Sequence, residues 1–124
     1  MRAPILMAGA LGALLLAAPA MAADAVHGAR LFDTECADCH TVGKGGANRK
    51  GPNLFGILGR PSGQIEGYKY SDANRTAGVT WDAATLTKYL AAPKKAMPGT
   101  AMRFAGFDDA KDIGDVIAYL STLH

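Results

Sequence analysis

The chain has 124 residues, with 13 basic side chains against 11 acidic ones and a formal charge of +2. Its length is that of a single domain, and the near balance of charge excludes a nucleic-acid binder, which needs a clearly basic face. Two cysteines and three histidines leave no second Cys or His pair to complete a four-ligand zinc site.

The first residues stand apart from the rest. Met1-Arg2 gives a positive start, Ile5–Ala18 is an apolar run of 14 residues, and Ala20-Met21-Ala22 fits the A-x-A pattern of a cleavage site. Residues 1–22 are expected to be a secretory signal peptide. The apolar run falls short of the roughly 20 residues that span a bilayer. The expected product is one domain, residues 23–124, exported and not embedded in a membrane. In an oxidising compartment two free thiols would ordinarily pair.

From Asp24 to Cys36 the spacing predicts a helix. Asp24 can cap it, and Gly28, Phe32 and Cys36 share one face at i, i+4, i+8. Gly28 removes a side chain from that face, so another backbone can come close. His27, on the same helix, reads as a surface histidine.

Cys36-Ala37-Asp38-Cys39-His40 follows. C-x-x-C-H is the attachment signature of a c-type haem. Two thiols can add across the two vinyl groups of one ring. The next residue, His40, can then offer an imidazole nitrogen to the iron. This chemistry would consume both cysteines.

Beyond Thr41 the helical pattern stops. Glycines recur at 43, 45, 46, 51, 56, 59, 63 and 67, with Pro52 and Pro61, which predicts a long structured loop. A loop of this length needs a function inside a compact domain, and wrapping a prosthetic group is one. Leu54, Phe55, Ile57 and Leu58 would press on that group. Ser71-Asp72-Ala73-Asn74 suggests one helical turn. Asp82 to Ala91 predicts a clearer helix, with Leu86, Tyr89 and Leu90 on one side and Pro93 ending it. A further turn, Lys94 to Met97, leads into the loop Pro98-Gly99-Thr100-Ala101-Met102. The last helix is expected from Asp108 to Leu123. Acidic residues lie at its start, at the positive end of the dipole, and Ile113, Val116, Ile117 and Leu120 form its apolar stripe. The expected fold is all-α: helices and long loops around one haem, with the terminal helices crossing.

A second axial ligand must come from what remains. His27 lies more than two turns before Cys36, His124 is the last residue, and Met97 ends a short turn as a core side chain. Met102 follows a Pro-Gly-Thr turn in a loop that can reach the far side of the ring. A His40/Met102 pair fills both axial positions. The soft thioether favours reduced iron and raises the potential, which suits one-electron transfer and not catalysis on a bound substrate.

With these residues in place the chain resembles the class I cytochromes c, in the short form shared by mitochondria and bacterial periplasms. The resemblance covers about Gly28 to Leu123. It is carried by Cys36-Ala37-Asp38-Cys39-His40-Thr41-Val42, Gly51-Pro52-Asn53-Leu54, Gly59-Arg60, Tyr70-Ser71-Asp72-Ala73-Asn74, Trp81, Tyr89-Leu90, Pro93-Lys94-Lys95, the segment from Pro98 to Gly106, and Ala118-Tyr119-Leu120. It implies one covalent haem c on Cys36 and Cys39, with His40 and Met102 as axial ligands. The Pro52 carbonyl would accept from the other ring nitrogen of His40. Arg60, Tyr70 and Trp81 would hold a buried propionate. Asn74, Tyr89 and Thr100 would form a polar network beside Met102, Ser71 would lie in the same pocket, and Phe104 would close the crevice edge. The terminal helices would cross with Gly28 and Phe32 against Val116 and Tyr119.

The implied function is a soluble, monomeric, non-enzymatic electron carrier of the periplasm. Its donor would be a quinol–cytochrome c reductase complex. Its acceptor would be a terminal oxidase or a photosynthetic reaction centre. Two other readings stay open: a haem enzyme or gas-binding protein, which needs an open iron site, and a thiol–disulfide protein, which needs no haem. The chain also departs from the mitochondrial pattern. Lys44, Arg49, Lys94 and Lys95 keep part of the lysine ring, whereas Glu35, Ala101, Asp108 and Asp109 interrupt it. Asn48 stands where the mitochondrial form has a histidine, which leaves that loop's tether in question.

Overall fold

A computed structural model describes residues 22–124; the expected signal peptide, residues 1–22, lies outside them except for Ala22. Five helices follow in order: α1 Ala25–Glu35, α2 Asp72–Thr76, α3 Ala83–Ala91, α4 Pro93–Ala96 and α5 Ala110–Ser121. Pro61 and Thr80 form an isolated antiparallel bridge, and the described residues contain no β-strand. The fold is all-α, as the hydrophobic spacing predicts.

Side chains set where the helices begin. Asp24 accepts from the backbone N–H groups of Val26 and His27 at the start of α1. Ser71 caps α2 through Asn74, Asp82 caps α3 through Thr85, and Asp109 caps α5 through Lys111. Each meets a donor that the helix cannot satisfy itself. The last helix therefore starts later than expected, because Asp108 and Asp109 precede it, and it ends at Ser121, before the expected Leu123. Pro93 does two jobs: it stops α3 and supplies the first residue of α4, where its missing N–H costs nothing.

Helices α1 and α5 pack against each other. A Cβ at Gly28 would lie 1.9 Å from the carbonyl oxygen of Asp115 and 3.0 Å from Cβ of Tyr119, so the crossing exists because position 28 has no side chain. One turn on, the rings of Phe32 and Tyr119 meet with centroids 5.8 Å apart. Phe32, Val116, Ile113 and Leu120 are buried there, and Trp81, Leu86, Tyr89, Leu90 and Met97 continue the core from the other side. Met97 is a core side chain, as its position predicts.

Residues 41 to 71 wind without helix or strand, yet the backbone is tied throughout. Gly51 N–H donates to Cys39, Leu54 to Thr41, Gly56 to Leu123, Gly59 to Trp81 and Ser62 to Val79. Asn48 is not a loose end: its Oδ1 accepts from the backbone N–H of Asn53 at 2.9 Å.

Candidate cofactor site

The loop, α3 and the two terminal helices enclose a cavity of about 760 Å³. Cys36 and Cys39 reach it from the turn that leaves α1, where the N–H groups of Cys36 and Ala37 both donate to the Phe32 carbonyl. His40 lines the same wall. Its Nδ1–H donates to the Pro52 carbonyl at 2.7 Å, which fixes the tautomer and leaves Nε2 free as an acceptor. Gly51 gives the ring its room: a Cβ there would fall 2.3 Å from Cε1 of His40. Burial holds the imidazole below its usual pKa, against the opposing pull of the Pro52 carbonyl, so the ring is neutral at pH 7.

Met102 lines the cavity from the loop after α4, together with Thr100 and Phe104. Phe104 packs edge-on against Phe107, centroids 4.9 Å apart. Tyr89 and Thr100 share a hydrogen bond of 2.7 Å between their hydroxyls. Asn74 does not join them. Its backbone N–H donates to Ser71 Oγ at 3.2 Å, but its side-chain Oδ1 is buried with no partner. The expected three-membered polar network is thus a bonded pair with an unpaired amide oxygen in the same cavity wall.

The residues expected around a propionate divide similarly. Trp81, Tyr70 and Ser71 line the cavity. The Tyr70 hydroxyl accepts from the Ile65 N–H at 3.1 Å, and burial raises its pKa. Arg60 is not part of the lining. Its Nη2 donates to the Phe55 carbonyl, while Nη1 is buried with no partner. A buried guanidinium N–H and a buried amide oxygen left unpaired are costly. Asn74 Oδ1 lies in the wall of the otherwise apolar cavity and needs a donor, whereas Arg60 Nη1 lies behind the lining and needs an acceptor. The donor set of two thiols, one neutral imidazole and one thioether fits a covalently attached haem.

Cys36 argues against thiol exchange. Burial first, then the charges of Glu35 and Cys39, push the Cys36 thiol up to about 11, whereas redox thiols are held well below their ordinary value. Sequence reasoning missed Tyr68. Its hydroxyl donates to the Lys50 carbonyl at 2.7 Å, its ring packs edge-on against Tyr70 at 4.7 Å, and it lines the cavity. The available signal was its i, i+2 spacing from Tyr70, which puts both rings on one side of an extended segment.

A family model described as Cytochrome c matches residues 25–124. A cytochrome c of Gibberella zeae is 54% identical over 97 residues, covering 78% of this chain and 92% of the relative. One from Stellaria longipes is 50% identical over 97 residues, covering 78% and 90%. One from Chlamydomonas reinhardtii is 50% identical over 103 residues, covering 83% and 92%.

Proposed function

The chain belongs to the cytochrome c family, and on that premise we propose that it is a periplasmic carrier whose haem is bonded to Cys36 and Cys39 and ligated by His40 and Met102. The coarser statement needs no proposal: it is an electron carrier with one covalent haem c. The observation that carries the assignment of residues is the single cavity of about 760 Å³ that Cys36, Cys39, His40 and Met102 all line.

When bound, the haem supplies one electron through the ferric–ferrous couple of its iron. The protein does the rest. Pro52 orients His40, a contact that also raises ligand basicity. Trp81, Leu86, Leu90 and Val116 exclude water, and low solvent access shapes the potential. Asn74 Oδ1, buried and unpaired in the lining, would accept from a donor in the cavity, and Arg60 braces the loop behind it through the Phe55 carbonyl. His40 and Met102 would both hold the iron, and a group so held would transfer electrons without binding a substrate, which supports a carrier over a haem enzyme.

The proposed partners are a quinol–cytochrome c reductase complex as donor and a terminal oxidase or photosynthetic reaction centre as acceptor. Exposed Lys94, Lys95 and Arg103 border a shallow groove of about 330 Å³ with Phe104 in its wall, and Phe104 also lines the main cavity. A basic rim beside the cofactor favours acidic partners and speeds encounter. Export rests on the chain's own first 22 residues, and the family match begins after them, at residue 25. Among the described residues no helix is long and apolar enough to cross a membrane. The proposed carrier is a monomer.

Optical spectra in both redox states test the ligand set. The expected ferric spectrum carries the weak charge-transfer band of an iron–thioether bond. Met102→Ala is expected to keep the covalent haem, lower the potential, lose that band and admit cyanide or carbon monoxide. An unchanged potential and unchanged ligand reactivity would remove Met102 from the iron. Recovery of the mature chain from the periplasmic fraction with Ala23 as its first residue tests export.

A further inference from the structure

Away from the cavity, α1 and α5 bring three potential metal donors to one point. His27 Nδ1, a carboxylate oxygen of Asp112 and one of Asp115 all lie within 4.8 Å of one another. We infer that this junction binds a borderline divalent cation, with Zn²⁺ as the probe, through an imidazole, two carboxylates and a water.

The geometry is close to what the ion needs. Zinc bonds to nitrogen and oxygen of about 2.0–2.2 Å put tetrahedral donors roughly 3.4 Å apart. His27 Nδ1–H donates to Asp115 Oδ2 at 2.8 Å and stands 3.9 Å from Asp112 Oδ1, so binding moves that proton to Nε2, and rotations of the side chains bring the donors to that spacing. Asp112 and Asp115 are i, i+3 on one helix, hence on one face.

One ligand is already held in place. The Asp115 side chain is 1% exposed, and its Oδ1 accepts from the backbone N–H of Asp24 at 2.7 Å. A carboxylate positioned by a hydrogen bond behind it is what a metal site requires of its outer shell. His27 supplies the entrance, with its side chain 37% exposed.

The local charge also favours a dication. Asp112 and Asp115, with Asp24 close by, face one ammonium, that of Lys111, at 2.6 Å from Asp115 Oδ2. Asp24 and Asp112 both act on Lys111 as well. Lys111 is 46% exposed, and its flexible stem can return the ammonium to water. The ion would therefore compete with Lys111 for one carboxylate oxygen, and it would staple α1 to α5.

Calorimetric titration of the holoprotein with ZnCl2 tests this. The expected result is saturable 1:1 binding, with a Tm that rises with zinc and a haem spectrum that does not change. His27→Gln is expected to weaken binding about tenfold or more, and Asp112→Asn, a partly exposed position, to weaken it as well. Lys111→Gln is expected to tighten it, because the competing ammonium is gone; a residue that merely braced the helices would not do this. His124→Gln is expected to leave affinity unchanged. Absence of saturable binding overturns the proposal. So does wild-type affinity in His27→Gln or Lys111→Gln, or loss of binding in His124→Gln.

Discussion

The α1–α5 crossing and the wall of the cavity are built on opposite plans. At the crossing the buried carboxylate of Asp115 has three donors: the Asp24 N–H, His27 and Lys111. In the cavity wall Asn74 Oδ1 is buried with none, and behind the lining so is Arg60 Nη1. Buried polar groups are almost always satisfied in native proteins, so the crossing is complete in itself and the cavity is not. One region is held by the chain's own contacts; the other is shaped for a guest. Phe32, Val116 and Leu120 belong to both, since they are core residues of the helix pair and also line the cavity.

The strongest way to break this comparison is to deny the cavity its guest. In Cys36→Ser with Cys39→Ser, haem retention is expected to fail. The shared wall residues would then face a void or water, and the domain is expected to unfold largely. Far-UV circular dichroism measures it. A stable helical double mutant would mean that the crossing needs no support from the cavity.

The reverse experiment attacks the crossing. In Gly28→Ala the new Cβ would meet the Asp115 carbonyl at 1.9 Å. Backbone cannot swing aside as a side chain can, so the helices must separate. A cost of about 1–3 kcal/mol, the range for overpacking, is expected in denaturant unfolding of the holoprotein. The optical spectrum is expected to persist, because Cys36, Cys39, His40 and Met102 lie elsewhere. Loss of the spectrum at unchanged helix content would show that the two regions are not separable.

Acid is a milder probe. The Asp24 N–H first, then the Lys111 and His27 side chains, hold the Asp115 carboxyl below its ordinary range. Capping hydrogen bonds do the same for Asp24 and Asp82. A carboxyl with a lowered pKa in the fold stabilises it above the unfolded value, and that contribution fades as pH falls toward the folded one. Tm is thus expected to be steady from neutral pH to about 5 and to decline below about 4, near the ordinary carboxylate value. Asp115→Asn is expected to start lower and to decline less steeply. A wild-type slope in that variant would assign the acid sensitivity to other groups.

The two regions also differ in how far they can be read from the chain. Helix faces and one cap are legible because they are local: Ile113, Val116 and Leu120 repeat at helical spacing and Asp24 precedes its helix by one residue, whereas Asp82, expected as the first residue of its helix, caps it instead. C-x-x-C-H is local too, and the place of Met102 in the cavity lining could be reached by elimination. The partners of His27 could not. Its hydrogen bond to Asp115 spans 88 positions, and no periodicity reports a pairing of that kind, so a histidine joined to a buried carboxylate reads as surface. Asn74 is a related case. Its place in the wall follows from the order of residues, but no local spacing reports the partner of its amide oxygen.

The smallest expected effect tests how the incomplete region is kept closed. Tyr68 ties two stretches of loop together, through its hydroxyl to the Lys50 carbonyl and its ring to Tyr70. Tyr68→Phe removes the first tie and keeps the second. The Lys50 carbonyl is near the surface and can turn to water, so about 0.5–1.5 kcal/mol is expected, the net worth of one hydrogen bond. The expected site of the change is local: faster amide exchange in the loop segments around Lys50 and Tyr68, with no change at the α1–α5 crossing. If exchange quickens equally at both, the loop and the helix pair open as one unit, and the division between a self-satisfied half and a guest-dependent half does not extend to their motions.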